Sequence, residues 1–352
     1  MFRGWREAGV LADAGLPVSA DPAVFGVSCR RRSPQICPAV TDISNLLAIL
    51  APIFVLIALG AVLRRIGWLT TEADASLLRL GVNLFFPALI FNAVLGNPAL
   101  RDPRNLLWPP LLGFVSMTIG WFAAWWTGRA IGLARGSGLR TFAFATGFYN
   151  YSYVPIALVG ALYGEDVLGV LFVFTTGNEL AAWTVGILLL AGGTFRDNWR
   201  KVLNPPVFAL LGAILLNLIH LELPSAAQRT ISSLGACAVP LGLLLIGAFL
   251  EEHLRNPGAL IAPRVATSAV LLRLGALPLV FLAAAKWLPL SPELRLVVVV
   301  QAAMPAGVFP IVLTKHYGGQ PLTAAQVVVS TTAVSLLVIP LWIKFGLWWI
   351  GS

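Results

Sequence analysis

The chain has 352 residues, 58% of them hydrophobic and 11% charged, with a formal charge of +9 and a mean hydropathy of +0.85. Soluble domains carry roughly 25% charged residues, so this composition excludes a soluble globular protein and predicts an all-α integral membrane protein. The basic residues are spread over short loops and form no stripe with interleaved aromatics, which excludes nucleic acid as a partner and leaves the lipid bilayer and a small-molecule solute.

Residues 1–42 open the chain without an apolar core segment or any periodicity, so they are not a signal peptide. They read either as a disordered tail or as a start placed upstream of the native one near Val40. Cys29 and Cys37 lie in this stretch and Cys237 in an apolar helix, where it reads as a small buried hydrophobe; no metal spacing accompanies the three.

A bilayer core of about 30 Å needs roughly 20 apolar residues per helix. From Ile43 onward ten such segments are predicted: 43–63, 75–95, 107–128, 139–162, 165–191, 204–220, 229–250, 260–286, 292–314 and 321–349. Loops after the odd-numbered segments hold eleven basic residues and the opposite loops six, which predicts both termini outside; counting Arg3, Arg6, Arg30, Arg31 and Arg32 of the tail would level the two sides.

In segment 2, Asn83 and Asn92 flank Pro87 nine residues apart, on different sides of the helix, so neither reads as a site residue. Trp121, Trp125, Trp126, Trp342, Trp348 and Trp349 read as interfacial or lipid-facing anchors. Segment 4 is interrupted at Asn150-Tyr151-Ser152-Tyr153-Val154-Pro155, and segment 9 at Met304-Pro305 through Phe309-Pro310. Proline removes a backbone donor and clashes with the preceding turn, so lipid tolerates such breaks only where protein or a wet cavity meets the freed carbonyls. Asn150, Tyr151, Ser152, Tyr153 and Gln301 are therefore the expected substrate contacts, or else partners of those carbonyls. Thr175, Thr176, Ser330, Thr331 and Thr332 read first as helix-packing residues.

Two charges lie deep in apolar runs. Glu179, next to Asn178 in segment 5, reads as a proton carrier or cation ligand, against the alternative of a protonated carboxyl tying helices together. A proton is the first choice of coupling ion and sodium the second; no cofactor or metal is expected. Arg273, mid-span in segment 8, needs an anion, either Glu179 or a substrate carboxylate held by its guanidinium fork.

Segments 43–191 and 204–349 repeat one another. Ala58–Leu63 resembles Leu210–Leu215 at a shift of 152; Pro52 and Phe54 answer to Pro206 and Phe208 at 154, Pro87 to Pro240 at 153, Pro155 to Pro305 at 150, and Thr175-Thr176 to Thr331-Thr332 at 156. Five spans per repeat is an odd number, so the second copy enters the membrane from the opposite face and the repeats are inverted. Such repeats place their discontinuous helices, here segments 4 and 9, back to back near the midplane.

These residues resemble the auxin efflux carrier family of the bile/arsenite/riboflavin transporter superfamily. The likeness runs through Pro52-Ile53-Phe54 to Arg64-Arg65, Asn83 to Phe91, Pro155 to Gly164, Met304-Pro305 with Val312-Leu313 and Tyr317-Gly318, and Ser330-Thr331-Thr332 with Pro340. It implies ten helices with crossover helices 4 and 9, a scaffold and a transport domain, a homodimer by superfamily analogy, and secondary transport of small organic anions across a plasma membrane such as the bacterial inner membrane. The family pattern sets one asparagine seven residues before the first crossover proline and another four after the Met-Pro proline; Phe148 and Phe309 stand there in this chain.

Rival classes are weaker. There is no H-E-x-x-H, no G-x-S-x-G and no phosphate loop, and His220, His253 and His316 sit singly at span ends, so an intramembrane enzyme is not expected. A channel would present repeated polar stripes. A receptor that binds without transport keeps the same sequence features.

Overall fold

The computed structural model describes residues 43–134, 136–192, 203–221, 223–255, 257–260 and 262–351, so the expectations for residues 1–42, with Cys29 and Cys37, lie outside the described residues. In chain order the helices of eight or more residues are α1 (Ile43–Arg65), α2 (Thr71–Val94), α3 (Arg104–Ala130), α4 (Leu139–Gly147), α5 (Tyr153–Ala191), α6 (Pro205–Leu218), α7 (Ser225–Leu254), α8 (Pro263–Trp287), α9 (Pro292–Ala302), α10 (Phe309–His316) and α11 (Pro321–Ile350). Seven of these, α1, α2, α3, α5, α7, α8 and α11, are long and apolar enough to cross a bilayer. No strand occurs among the described residues, only one isolated backbone bridge. Large apolar side chains such as Leu107, Phe122, Trp126, Leu337 and Trp348 are more than half exposed. In water such a surface would aggregate; in lipid it is the expected one.

Local sequence explains where the long helices bend. α5 turns at Gly164 (φ 77°, ψ −166°), a backbone region open only to glycine, and so consists of two arms. α2 and α8 each widen by a π turn, at Gly81–Phe85 and Leu271–Ala276, just before Pro87 and Pro278. A proline ring clashes with the carbonyl four residues earlier, and widening relieves the clash. The Leu274 carbonyl released by Pro278 accepts a hydrogen bond from Trp342 Nε1 at 2.6 Å.

That bond corrects one expectation. Trp342 is a carbonyl partner rather than a lipid-facing anchor, and so is Trp121, which is buried and donates to the Phe144 carbonyl at 3.1 Å. Cys237 is also corrected: it is exposed at the junction inside α7 rather than buried.

Glycines set the packing. A Cβ on Gly60 would meet the Leu244 carbonyl at 2.0 Å and one on Gly247 the Ile57 carbonyl at 1.8 Å, so α1 and α7 touch backbone to backbone. Gly113 and Gly177 do the same between α3 and α5. Two clusters follow: α1 packs along α7 and α2 along α6, while α3 packs along α5 and α8 along α11.

Candidate functional site: two broken helices and a cavity

Between the clusters the chain leaves helical geometry twice. α4 ends at Gly147 and α5 begins at Tyr153; α9 ends at Ala302 and α10 begins at Phe309. The two irregular stretches lie antiparallel, bridged at Tyr149 and Ala306. Asn150 N donates to the Pro305 carbonyl and Gly307 N to the Phe148 carbonyl, both at 2.8 Å. Each stretch thus meets the backbone groups that the other left open, as low-dielectric surroundings require. Pro155 and Pro310 stand in the first turns of α5 and α10, where a missing N–H costs nothing, and Pro305 lies in the irregular stretch itself.

Side chains complete the repair. Gln301 Nε2 donates to the Tyr151 carbonyl at 3.1 Å, and the Ala306 N–H donates to Thr331 Oγ1 at 3.2 Å. Arg273, on the π turn of α8, donates from Nε to the Met304 carbonyl at 3.0 Å and from Nη2 to the Gln301 carbonyl at 3.4 Å. Its guanidinium carbon lies 4.5 Å from the centre of the Tyr149 ring and 5.3 Å from that of Phe281, and the residue is fully buried. A helix C-terminus leaves carbonyls unpaired and carries partial negative charge, which a guanidinium fork matches. Arg273 thus holds backbone carbonyls rather than Glu179, and its Nη1 is buried without a hydrogen-bond partner.

A cavity of about 270 Å³ opens beside the crossing. Of the residues picked out in the sequence, Asn150, Tyr151, Ser152, Tyr153 and Glu179 line it, as do Phe148, Phe309, Thr175 and Thr176; Gln301, Arg273 and Asn178 do not. Glu179 Oε1 accepts from the Tyr151 hydroxyl at 2.7 Å and Oε2 from Trp183 Nε1 at 2.9 Å. Asn178 sits one layer behind, donating to the Tyr149 hydroxyl at 2.7 Å, which also pairs with Ser116 at 3.0 Å. Sequence reading missed Trp183, although its place one helical turn after Glu179 was a usable signal. It also missed Gly242 of α7, against which the Tyr153 ring lies so closely that a Cβ would meet Cε1 at 1.9 Å. Among the described residues no three His, Cys, Asp or Glu side chains gather as a metal site.

The lining reaches Leu78, Asn204, Phe249 and Leu313, next to the ends of helices that carry Asp74, Glu252 and Lys315. Arg64, 4% exposed, pairs with Asp74 and lies 3.8 Å from Glu252; Lys315 lies 3.9 Å from Glu252. Side-chain ties link the elements on the face beyond the crossing. There Asn97 Nδ2 donates to the Glu165 carbonyl at 2.9 Å, the Asn97 carbonyl accepts from Asn217 Nδ2 at 3.0 Å, and Asn105 pairs with Ser291.

Lipid-facing helices around a solute-sized cavity, walled by two interrupted helices that repair one another, define a multi-pass membrane protein of the transporter class. The sequence profile of the family described as membrane transport protein matches residues 46–194 and again 193–343, and the chain belongs to that family, the auxin efflux carrier family. Its members are transporters rather than enzymes. An uncharacterized transporter of Methanothermobacter thermautotrophicus is 27% identical over 297 residues, covering 82% of this chain and 95% of that protein. Auxin efflux carrier component 3 of Arabidopsis thaliana and probable auxin efflux carrier component 1c of Oryza sativa subsp. japonica are each 29% identical over 143 residues. Those matches cover 39% of this chain and only 22% and 24% of the plant proteins.

Proposed function

We propose that the chain is a secondary active transporter that moves a small organic solute across the plasma membrane by alternating access, with Glu179 as the proton carrier. On this reading the helical pieces make ten spans: α4 with the first arm of α5 forms one crossing span, α9 with α10 the other, and the second arm of α5 is the fifth. The halves 43–191 and 204–349 are then inverted repeats. Their mirrored packing, α1 on α7 as α2 on α6 and α3 on α5 as α8 on α11, supports this, as does the family profile matching twice.

The observation that carries the function is the antiparallel bridge of Tyr149 and Ala306 at the wall of the cavity. Irregular backbone at membrane depth is what transporters use to build a site between two bodies that move. The cluster of α1, α2, α6 and α7 is the scaffold, and the cluster holding both crossings is the moving part. The bias of basic residues in the loops supports a reading in which the Asp74, Glu252 and Lys315 end of the cavity is cytoplasmic and both termini are outside. Protonating Glu179 removes the charge that holds the Tyr151 hydroxyl, and so couples proton binding to the crossing itself.

Counterflow of labelled solute in proteoliposomes tests the reading. Saturable exchange driven by a pH gradient is expected, and Glu179→Gln should keep exchange while losing its response to the gradient. Binding without exchange would identify a receptor. Wild-type rates for Glu179→Gln across all gradients would remove the proton role.

A further inference from the structure

We propose that protonating Glu179 reverses its hydrogen bond with Tyr151, that Trp183 is the positioning residue dictating this reversal, and that the freed Tyr151 O–H binds an acceptor oxygen of the solute. The inference rests on the reading of Glu179 as proton carrier and gives the sign of the coupling: proton and solute bind together.

The two oxygens of Glu179 face partners of different kinds. Oε2 accepts from Trp183 Nε1 at 2.9 Å and Oε1 from the Tyr151 hydroxyl at 2.7 Å. An indole N–H only donates, whereas a phenol can donate or accept. Trp183 stands four residues after Glu179 on the same helix, and helical side chains lean toward the N-terminus, so the indole reaches back over the carboxylate. Tyr151 comes instead from the irregular stretch between α4 and α5, where its carbonyl is held by Gln301 of α9.

This asymmetry decides which oxygen takes a proton. On Oε2 it would turn the oxygen facing the indole into a hydroxyl, a weaker acceptor, and set two donors face to face. On Oε1 it leaves Oε2 as the carbonyl oxygen that Trp183 needs, and it finds an acceptor in the Tyr151 oxygen. The proton comes from water of the medium, Tyr151 keeps its own, and the bond between the two side chains changes direction. The Tyr151 O–H must then turn away. Among the described residues Glu179 is its one hydrogen-bond partner, and Tyr151 lines the cavity, so the freed donor turns into the space a solute fills. A buried donor without an acceptor is costly, and a solute that brings one completes the protonated state.

The surroundings favour the same sign. The first-turn N–H groups of Tyr153 and Val154 meet neither a backbone carbonyl nor the Ser152 side chain among the described residues, so the freed O–H joins donors already beside it. Protonation also removes the charge that would repel an electron-rich oxygen there. The titratable side chains facing the carboxylate are the phenols of Tyr151 and Tyr153, with Tyr149 one layer behind, where the Arg273 guanidinium of α8 stands 4.5 Å from its ring centre. The lining from α2, α6, α7 and α10 holds no Lys, Arg, His, Asp or further Glu among the described residues. Glu179 is thus the one carboxyl in this wall, and by linkage proton and solute each raise the affinity for the other.

The test uses the full chain purified in detergent and infrared difference spectra taken as the pH is stepped. Glu179 is assigned by the carboxyl C=O band lost in Glu179→Gln, and Tyr151 by the phenol C–O band lost in Tyr151→Phe. In the wild type both bands should change with one midpoint, because a phenol that donates and one that accepts differ in C–O frequency. Trp183→Phe removes the indole donor and opens Oε2 to the proton; the carboxyl band should still titrate while the Tyr151 change is lost, which a merely structural tryptophan would not produce. Should that variant not fold, the wild-type spectrum tests Trp183, since no indole N–H band should appear in it while Oε2 keeps accepting. Methyl 3-phenylpropanoate, a neutral acceptor without a donor, probes the solute side by thermal shift. It should bind about fivefold more tightly below the midpoint than above it, the factor one neutral hydrogen bond gives, and Tyr151→Phe should remove the difference. Its binding at the midpoint should take up protons from a weakly buffered medium. No Glu179 titration, a Tyr151 band unchanged through it, a Tyr151 change retained in folded Trp183→Phe, an indole band in the wild-type spectrum, or ester binding absent or indifferent to pH would overturn the proposal. None of these readouts needs movement. Reversal without counterflow would refute the transporter reading alone, and counterflow driven by a pH gradient with an unchanged Tyr151 band would refute the reversal alone.

Discussion

Arg273 takes a full charge into the protein interior without a carboxylate to meet it. Burying an ion costs several kcal/mol, so its partners must return most of that. They are the Met304 and Gln301 carbonyls and the faces of Tyr149 and Phe281. Hydrogen bonds to a charged group contribute roughly 1.5–3 kcal/mol each, so Arg273→Met should cost several kcal/mol and lower the melting midpoint of the purified protein clearly. Arg273→Lys keeps the charge but not the fork, and should restore only part of the loss. An unchanged midpoint in both would mean that the α9 end does not depend on this side chain. Both intramembrane charges were legible in the sequence, because a lone Glu or Arg inside an apolar run stands out in one dimension. Their partners were not. A backbone carbonyl 28 or 31 residues away, which is what Arg273 holds, has no residue type to announce it.

Among elements, the breaks were the most legible feature, since proline fixes where a helix loses a donor and Gly164 where it can turn. The pairing of the breaks with one another was not, because an antiparallel bridge between Tyr149 and Ala306 is made of backbone groups alone. Close approach of α1 and α7 was half legible: Gly60 lies in a repeated Leu-Gly-Ala run, but many glycines in the chain pack against nothing. The contrast gives a prediction. A Cβ at Gly247 would lie 1.8 Å from the Ile57 carbonyl, and backbone cannot step aside as a side chain can. Gly247→Ala should therefore force the two helices apart, at about 1–3 kcal/mol for overpacking. Gly275→Ala, where nothing lies within 4 Å, should be neutral or stabilising by up to about 1 kcal/mol. Thermal melts of the two variants side by side check this; equal midpoints would show that the α1–α7 contact is slack.

At the scale of the whole molecule the two faces are tied unequally across the clusters. On the side of Asp74, Glu252 and Lys315, Arg64 holds Asp74 and approaches Glu252 within the α1, α2 and α7 cluster, so these pairs do not resist movement between clusters. Lys315 to Glu252 does cross between clusters, but at 3.9 Å with Lys315 more than half exposed such a pair contributes about 1 kcal/mol at most. On the other side Asn97 links three elements: its Nδ2 reaches the Ala93 carbonyl in α2 and the Glu165 carbonyl just past the Gly164 turn of α5, and its own carbonyl receives Asn217 of α6. Of these, only the bond to Glu165 and its longer branch to Asp166 at 3.3 Å join the two clusters. Asn97→Ala removes them, and one or two kcal/mol shifts a two-state ratio by a factor of roughly 5–30. Ala93, 2% exposed, lies beneath this tie and serves as the reporter. With Cys29, Cys37 and Cys237 replaced by serine and Ala93→Cys introduced, an impermeant maleimide should label the thiol several-fold faster in the Asn97→Ala background. Lys315→Ala should leave that rate within about twofold, since its weak pair sits on the opposite face. Equal labelling with and without Asn97 would mean that this face is closed by the packing of α5 against α2 and α6, and that the asparagine only shapes the turn it caps.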